Sequence, residues 1–169
     1  FNVLTSNVFT LNLHYQIMSI EQDIQQKAFK SPYTKAVVNI MYTNNWLCSL
    51  QSDLLKRYDV TLQQYNVLRI LRGQHPNPIT VCGIIERMLD KMSNASRLVD
   101  KLILKDLVIR KECPHDRRQV DVVITEKGLA LLAELDNQQS EWESALHKLS
   151  PEEALTLSHL LDKLRGSAE

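Results

Sequence analysis

The hydrophobic pattern of this 169-residue chain changes its period at one place. Before that place, apolar side chains recur at helical spacing, as at Ile84, Ile85 and Met88. Residues 107–111 and 120–125 are instead rich in β-branched residues, and a polar turn containing proline separates them. This arrangement is typical of a β-hairpin, after which helical spacing returns. The chain is therefore predicted to be mainly α-helical with one small hairpin.

Capping residues divide the helical part of the chain into separate helices. A serine or threonine before the first turn can accept a backbone N–H that has no partner inside the helix. Proline suits the first turn, where an N–H is not needed. Such starts are predicted at Ser31, Thr61, Thr80, Thr125 and Ser150. The helix after Thr61 is expected to end at Gly73, and the helix after Thr125 to continue through Trp142 and Leu146.

Composition and residue spacing exclude several classes of enzyme. The four glycines form neither GxGxxG nor a P-loop pattern, which argues against the usual nucleotide-binding folds. The five histidines are scattered without an HExxH pattern, and Cys113 and His115 lack the further ligands of a zinc site. No apolar run approaches the roughly 20 residues of a membrane span. We therefore predict a protein that is not an enzyme and uses no metal or cofactor.

The cysteines and the first residues both favour a cytoplasmic location. Three cysteines without close pairing are typical of a reducing compartment. We interpret Cys48 and Cys82 as buried thiols; the alternative is that Cys48 or Cys113 senses oxidants. Residues 1–17 lack the basic start and cleavage pattern of a signal peptide. They belong to a predicted N-terminal extension, residues 1–30, and an artefactual origin of residues 1–17 is an open alternative.

Charge is unevenly distributed along a chain whose net charge is zero. Residues 1–60 carry five basic and four acidic groups, a net +1, and residues 61–128 carry twelve and eight, a net +4. Residues 129–169 carry three basic and eight acidic groups, a net −5. A basic middle segment indicates an anionic partner for that segment. An ordinary solvated surface is the alternative.

The basic middle segment has the element order of a winged helix-turn-helix, with three helices followed by a hairpin. In such domains the helix after the turn enters the major groove of DNA. The helix in that position has an apolar stripe of Ala95, Leu98, Val99 and Leu102. Small or cationic side chains, suited to base edges and phosphates, fall on its other face: Ser93, Asn94, Ser96, Arg97 and Lys101. A solvated helix face is the alternative interpretation.

The tip of the predicted hairpin, the wing, carries two adjacent arginines, Arg117 and Arg118. Guanidinium groups are attracted to narrow A·T-rich minor grooves. Asp116 can pair with a nearby arginine and fix its orientation. We therefore predict that the wing residues Asp116, Arg117 and Arg118 contribute to DNA binding.

These segments resemble the MarR family of bacterial winged-helix transcriptional regulators, through LTLQQYNVLRIL and SRLVDKLILKDLVIRKECPHDRRQVDVVITEKG. The resemblance covers roughly Pro32 to Leu164, and DRR followed by IT-x-x-G is its most specific part. It implies a homodimer that presents two winged lobes to a palindromic operator. It also implies that Arg118 enters the minor groove and that Asp116 orders the wing. The family usually has glycine where this chain has Asp106, and aspartate tolerates the left-handed conformation better than most residues.

Four segments are predicted to have distinct roles. The N-terminal extension, residues 1–30, precedes a first dimerisation helix in residues 31–60. Residues 61–128 form the DNA-binding lobe, which we call the winged lobe, and residues 129–169 form C-terminal dimerisation helices. The terminal helices carry wide apolar stripes that a second copy of the chain would bury. Family members often bind small aromatic or phenolic effectors beside the dimer helices, and the residues predicted to line such a site are Tyr42, Trp46 and Tyr65.

The predicted function is that of a cytoplasmic, homodimeric regulator that binds double-stranded DNA, is expected to repress, and has no membrane partner. The alternative is a winged-helix module for protein interaction that does not bind DNA. Basic groups at both the groove helix and the wing tip disfavour that alternative. The operator, the regulated genes and the identity of an effector are not readable from the residues.

Overall fold

The computed structural model describes residues 18–112, 120–138, 143–144 and 146–166. Its helices and strands, in chain order, are α1 (Ile20–Asp23), α2 (Pro32–Lys56), α3 (Leu62–Gln74), β1 (Ile79–Thr80), α4 (Val81–Arg87), α5 (Ala95–Ile103), β2 (Val108–Glu112), β3 (Val120–Ile124), α6 (Glu126–Asn137) and α7 (Pro151–Leu164). The predicted fold class, mainly helical with a small hairpin, is confirmed. None of the helices in the described ranges combines the length and hydrophobicity needed to cross a bilayer.

The predicted helix starts are confirmed by their capping bonds. The hydroxyl of Ser31 accepts the backbone N–H of Thr34 at 3.2 Å. The same bond, three residues ahead and at 3.1 to 3.2 Å, is accepted by Thr61, Thr80, Thr125 and Ser150. At Thr61 and Ser150 the third helical residue also returns a bond to the capping backbone, which completes a capping box. Local sequence therefore sets where these helices begin.

Two predicted helix ends were wrong. Helix α3 continues through Gly73 and ends at Gln74, because His75, which precedes a proline, has an extended backbone. Helix α6 ends at Asn137, and Leu146 lies in a later turn. The last buried residue of α6 is Leu135, and the three residues that follow it, Asp136, Asn137 and Gln138, are polar. Trp142 lies outside the described residues.

The sheet has three antiparallel strands in the order β1-β3-β2. Strands β2 and β3 form the predicted hairpin, with Arg110 opposite Val122. The third strand, β1, pairs Ile79 with Val122 and was not predicted. A strand of two residues is too short to show an alternation of apolar and polar residues, so it is recognised only by its pairing with a distant strand. The hairpin is thereby joined to the residues that lead into α4.

The winged lobe shares one hydrophobic core with the end of α2 and with α6. Side chains from the end of α2, from α3, α4, α5, the hairpin and α6 meet there, and its largest fully buried members are Val67, Leu68, Leu71, Ile84, Val99, Leu102, Val108, Val122 and Leu132. Helix α6 approaches β2 so closely that a Cβ on Gly128 would lie 2.4 Å from the carbonyl oxygen of Leu107. Asp106, where the resemblance expects glycine, has φ +59°, which confirms the predicted left-handed turn. These close contacts fix the hairpin against the helices.

The chain divides into two compact units, residues 1–46 and 47–169, with the boundary inside α2. In the described part of the first unit, Ile20 is buried and Lys35 pairs with Glu21 at 2.7 Å. Helix α2 exposes much of its apolar surface there, including Tyr33, Val37 and Met41. In the second unit, α7 buries no residue at all. The proposed roles of residues 1–30, 31–60, 61–128 and 129–169 stay a prediction.

Candidate nucleic-acid interface

The turn between α4 and α5 is held by side chains on both of its sides. Asp90 accepts the backbone N–H of Met92 at 3.0 Å and the hydroxyl of Ser93 at 2.6 Å. Hydrogen bonding from Ser93 lowers the pKa of the Asp90 carboxyl, so the acceptor stays ionised well below neutral pH. On the other side, Asn66 of α3 accepts the N–H of Leu89 at 3.0 Å. The turn therefore sets the direction in which α5 leaves α4.

Helix α5 has one buried face and one exposed face, as predicted. Ala95, Val99 and Leu102 are at most 1% exposed and pack in the core of the lobe. Four of the predicted DNA-contacting residues are exposed and the fifth, Ser93, is half-buried; the exposed residues are Asn94, Ser96, Arg97 and Lys101. A helix anchored along one side can present the other side to a groove without losing its packing.

Asn94 has a structural role that the sequence analysis missed. It is the N-cap of α5, and its side-chain oxygen accepts the backbone N–H of Arg97 at 3.0 Å. A base contact from Asn94 would therefore use its amide nitrogen or the second lone pair of the same oxygen. Asparagine directly before an apolar stripe is an ordinary helix-start signal and could have revealed this role.

An ion pair joins the first strand of the hairpin to α5. The guanidinium of Arg110 lies 2.6 Å from the carboxylate of Asp100, with both side chains about half exposed. The pair ties the base of the wing to the helix predicted to enter the groove. Sequence reasoning missed it, because the two residues lie in different elements and no local pattern links them.

The predicted tip of the wing lies outside the described residues. This applies to Asp116, Arg117 and Arg118, and also to Cys113. The described strands end at Glu112 and Val120, which are paired across the hairpin. The roles assigned to the wing residues therefore stay predictions.

The residues predicted to bind an effector lie in different parts of the chain. Tyr42 and Trp46 are one turn apart on α2 and are 43% and 40% exposed. Tyr65 packs against the lobe core, and Arg69 stacks on its ring at 5.7 Å and donates to its hydroxyl at 3.4 Å. The cavity beside Tyr65 measures about 10 Å³, too small for an aromatic ligand in this conformation.

Two larger cavities of the second unit surround the turn between α5 and β2. They measure about 510 and 410 Å³, and Asp59 and Lys105 line both. Lys105 pairs with Asp59 at 2.9 Å. Neither cavity is lined by the predicted aromatic residues, and no sequence pattern had pointed to this turn as a concave surface.

The interpretation of two cysteines as buried thiols needs correction. Cys82 is exposed on α4, and Cys48 is only partly buried on α2. The spacing of α4 places Ile84 in the core, and the residues two positions apart on a helix do not share a face. Among the described residues, no cluster of three or more histidine, cysteine or acidic side chains could hold a metal ion.

Comparisons with known proteins match the segment that contains this interface. A family model described as MarR family matches residues 58–119. The chain is 29% identical over 116 residues to the HTH-type transcriptional regulator MhqR of Bacillus subtilis (strain 168), covering 68% of this chain and 79% of MhqR. It is 27% identical over 148 residues to the HTH-type transcriptional regulator MgrA of Staphylococcus aureus, covering 87% of this chain and 93% of MgrA.

The fold is also similar to a solved member of the family. A mutant MarR from E. coli, complexed with operator DNA, is 26% identical and superposes with a TM-score of 0.67. The match covers 74% of this chain and 89% of that one. The order of helices and strands, the left-handed turn at Asp106 and these similarities agree, and the chain is similar to the MarR family of transcriptional regulators.

Proposed function

We propose that this protein binds DNA sequence-specifically as a homodimer and regulates transcription from a palindromic operator. The observation that carries the proposal is the division of α5 into a buried face and an exposed polar face. One face of this helix is packed in the lobe core, while Ser96, Arg97 and Lys101 are exposed on the other. Hydroxyl and guanidinium groups near the start of such a helix are suited to base edges and phosphates.

The distribution of charge supports DNA as the partner of this face. The winged lobe carries a net +4, whereas residues 129–169 carry a net −5. Cations that neutralise phosphates release counterions, so affinity should fall as salt rises. An acidic C-terminal segment is expected to lie away from the phosphates.

Helix α7 supports the dimer. Its leucines Leu157, Leu160 and Leu164 recur at helical spacing, although they are 47% to 65% exposed. A second copy of the chain would cover them, and two-fold pairs are the commonest oligomers. Two lobes related by a two-fold axis would read half-sites about one helical turn apart, which fits a palindromic operator.

The wing remains part of this proposal. Arg118 is proposed to enter the minor groove and Asp116 to order the wing, as the family resemblance implies. The ion pair between Arg110 and Asp100 supports this by fixing the base of the hairpin beside α5. Removal of Asp116 should then weaken binding, although the loss of a negative charge near DNA would by itself strengthen it.

The test of DNA binding compares two arginine variants of equal charge. Arg97→Ala should weaken binding to the operator by about 1–3 kcal/mol and relax specificity at one position. Arg165→Ala removes the same charge after the end of α7, where the guanidinium pairs with Asp162, and should leave operator affinity nearly unchanged. Affinities for the operator and for a random duplex are measured across a salt series.

Equal losses in both variants would mean that only net charge matters. Unchanged discrimination in Arg97→Ala would place the recognition surface elsewhere. A protein that binds no duplex would favour the interaction module instead.

Three further parts of the proposal rest on the family. We expect no enzymatic activity, and we expect the protein to act in the cytoplasm, where bacterial DNA lies. We also expect release from DNA by a small aromatic or phenolic effector, with Tyr42, Trp46 and Tyr65 as the residues to test. Substitution of these residues should change release by the effector more than it changes DNA affinity.

A further inference from the structure

The turn before α5 exposes two large apolar side chains. Leu89 is 91% exposed and Met92 is 94% exposed, the highest values among the exposed large hydrophobic residues of the described chain. A single exposed apolar residue is ordinary and needs no explanation. This pair is of interest because it lies beside α5 and because hydrogen bonds fix the backbone that carries it.

The backbone that carries Met92 is fixed. Its own N–H donates to the Asp90 carboxylate at 3.0 Å, and the next residue, Ser93, bonds to the same carboxylate through its hydroxyl. Ser93 also donates its backbone N–H to the carbonyl oxygen of Asp90 at 3.3 Å. The backbone of Met92 therefore has a defined position, from which the side chain extends into solvent.

That place adjoins the start of the proposed recognition helix. Met92 lies two residues before the N-cap Asn94, so their Cα atoms are at most about 7 Å apart. The major groove is about 12 Å wide, and the first residues of a recognition helix are the ones that reach base edges. Exposed cations, Lys91 and Arg97, lie on either side of Met92 in the sequence. Cations on both sides of an apolar side chain suit a partner that carries many negative charges and also presents an apolar group.

We propose that Met92 is a specificity-determining residue that reads thymine, by contact of its side chain with the C5 methyl group in the major groove. This inference rests on the proposed DNA binding. The thymine methyl is the apolar group that distinguishes one base from the others in that groove. Methionine is unbranched and polarisable, so it can follow a methyl group without demanding one geometry. Leu89 is three residues farther from α5 and is not assigned this role.

The experiment removes the methyl group from DNA and the side chain from the protein. A duplex selected by the full chain from a random library serves as the probe, and each thymine is replaced in turn by deoxyuridine. This replacement removes only the methyl group and preserves base pairing. At one thymine of each half-site, the wild-type protein should lose about fourfold in affinity, the equivalent of one buried methyl group.

Met92→Ala should bind the thymine duplex more weakly and should no longer distinguish thymine from deoxyuridine at that position. Leu104→Ala is the matched control, because Leu104 is 85% exposed at the other end of α5. Its variant should keep the wild-type response. Because both side chains are exposed, thermal unfolding should be unchanged in both variants.

Other outcomes are equally clear. If wild-type protein tolerates deoxyuridine everywhere, or if Met92→Ala keeps the wild-type sensitivity, the inference is overturned while DNA binding stands. If Met92→Ala changes the oligomeric state and leaves thymine discrimination intact, the side chain serves a protein contact and the inference is wrong. If the full chain enriches no sequence, the proposed function fails and the inference fails with it.

Discussion

Helices α3 and α7 begin with the same capping motif and carry similar apolar stripes, but their surroundings are opposite. Thr61 and Ser150 both form capping boxes with the third residue of their helix. Helix α3 then buries Val67, Leu68 and Leu71 to 2% exposure or less, whereas α7 buries no residue. An apolar stripe thus indicates that a helix has a covering surface, but not whether that surface is in the same chain.

The difference has a thermodynamic consequence. The core around α3 is formed by residues of one chain, from the end of α2 to α6, so the stability of the lobe should not depend on protein concentration. If a second copy covers α7, the stability contributed by the α7 leucines should depend on protein concentration, because the second copy binds only the folded state. Concentration dependence therefore separates the two kinds of helix in experiment.

The largest effect is expected from a core substitution in the lobe. Leu102 of α5 is fully buried, so Leu102→Ala should lower the free energy of unfolding by about 2–5 kcal/mol. The loss combines the lost burial with the cavity left behind. Chemical denaturation should show the same loss at high and low protein concentration.

Leu160→Ala in α7 is the matched control, since it makes the same chemical change at a residue that is 58% exposed. It should leave the lobe intact and instead weaken the dimer, as measured by ultracentrifugation. A loss from Leu160→Ala that is as large as that from Leu102→Ala, and independent of concentration, would show that α7 packs within one chain.

A smaller effect is expected at the cap of α5. Asn94→Ala removes the acceptor for the N–H of Arg97 and should cost about 0.5–2 kcal/mol of stability. Asn94→Ser keeps a capping oxygen and should restore most of that loss. Thermal unfolding and operator affinity are measured on both variants.

The pair of variants separates two roles of one residue. If the serine variant is stable but discriminates operators poorly, the amide of Asn94 reads a base. If it is stable and discriminates normally, Asn94 acts only as the cap and is not a DNA-contacting residue.

The sequence predicted those features that depend on neighbouring residues. Capping hydroxyls, the hairpin and the left-handed turn at Asp106 are local, and all were found as expected. Strand β1 was missed because its pairing with β3 joins residues more than 40 positions apart, as at Ile79 and Val122. The ion pair of Arg110 with Asp100 was missed because the two residues lie in different elements, a strand and a helix, which no local pattern links.

The candidate site divides in the same way. The exposed face of α5 follows from its apolar spacing, so Ser96, Arg97 and Lys101 were found on the expected side. The conformation of the turn before α5 depends in part on Asn66 of α3, which accepts the N–H of Leu89. No sequence pattern connects these two residues. The effector residues were chosen by type alone, and a residue type does not establish a cavity.

The smallest effect is expected at the left-handed turn that opens the hairpin. Asp106 has φ +59°, a conformation that costs most residues about 1–2 kcal/mol and glycine almost nothing. Asp106→Gly and Asp106→Ala both remove the carboxylate, which lies 3.5 Å from exposed Lys127 and contributes little. The carbonyl oxygen of Asp106 accepts the Thr125 hydroxyl at 2.8 Å, and both variants keep that bond.

The difference between these two variants therefore isolates the backbone. Glycine relieves the left-handed strain but adds freedom to the unfolded chain, which offsets part of the gain. Asp106→Gly should consequently be about as stable as the wild type, and Asp106→Ala should be less stable by about 1 kcal/mol. Because the turn belongs to the lobe, denaturation midpoints should shift equally at every protein concentration. Equal stability of the two variants would mean that the turn relaxes to a negative φ without cost, and that the wing is less firmly fixed to α5 than its contacts indicate.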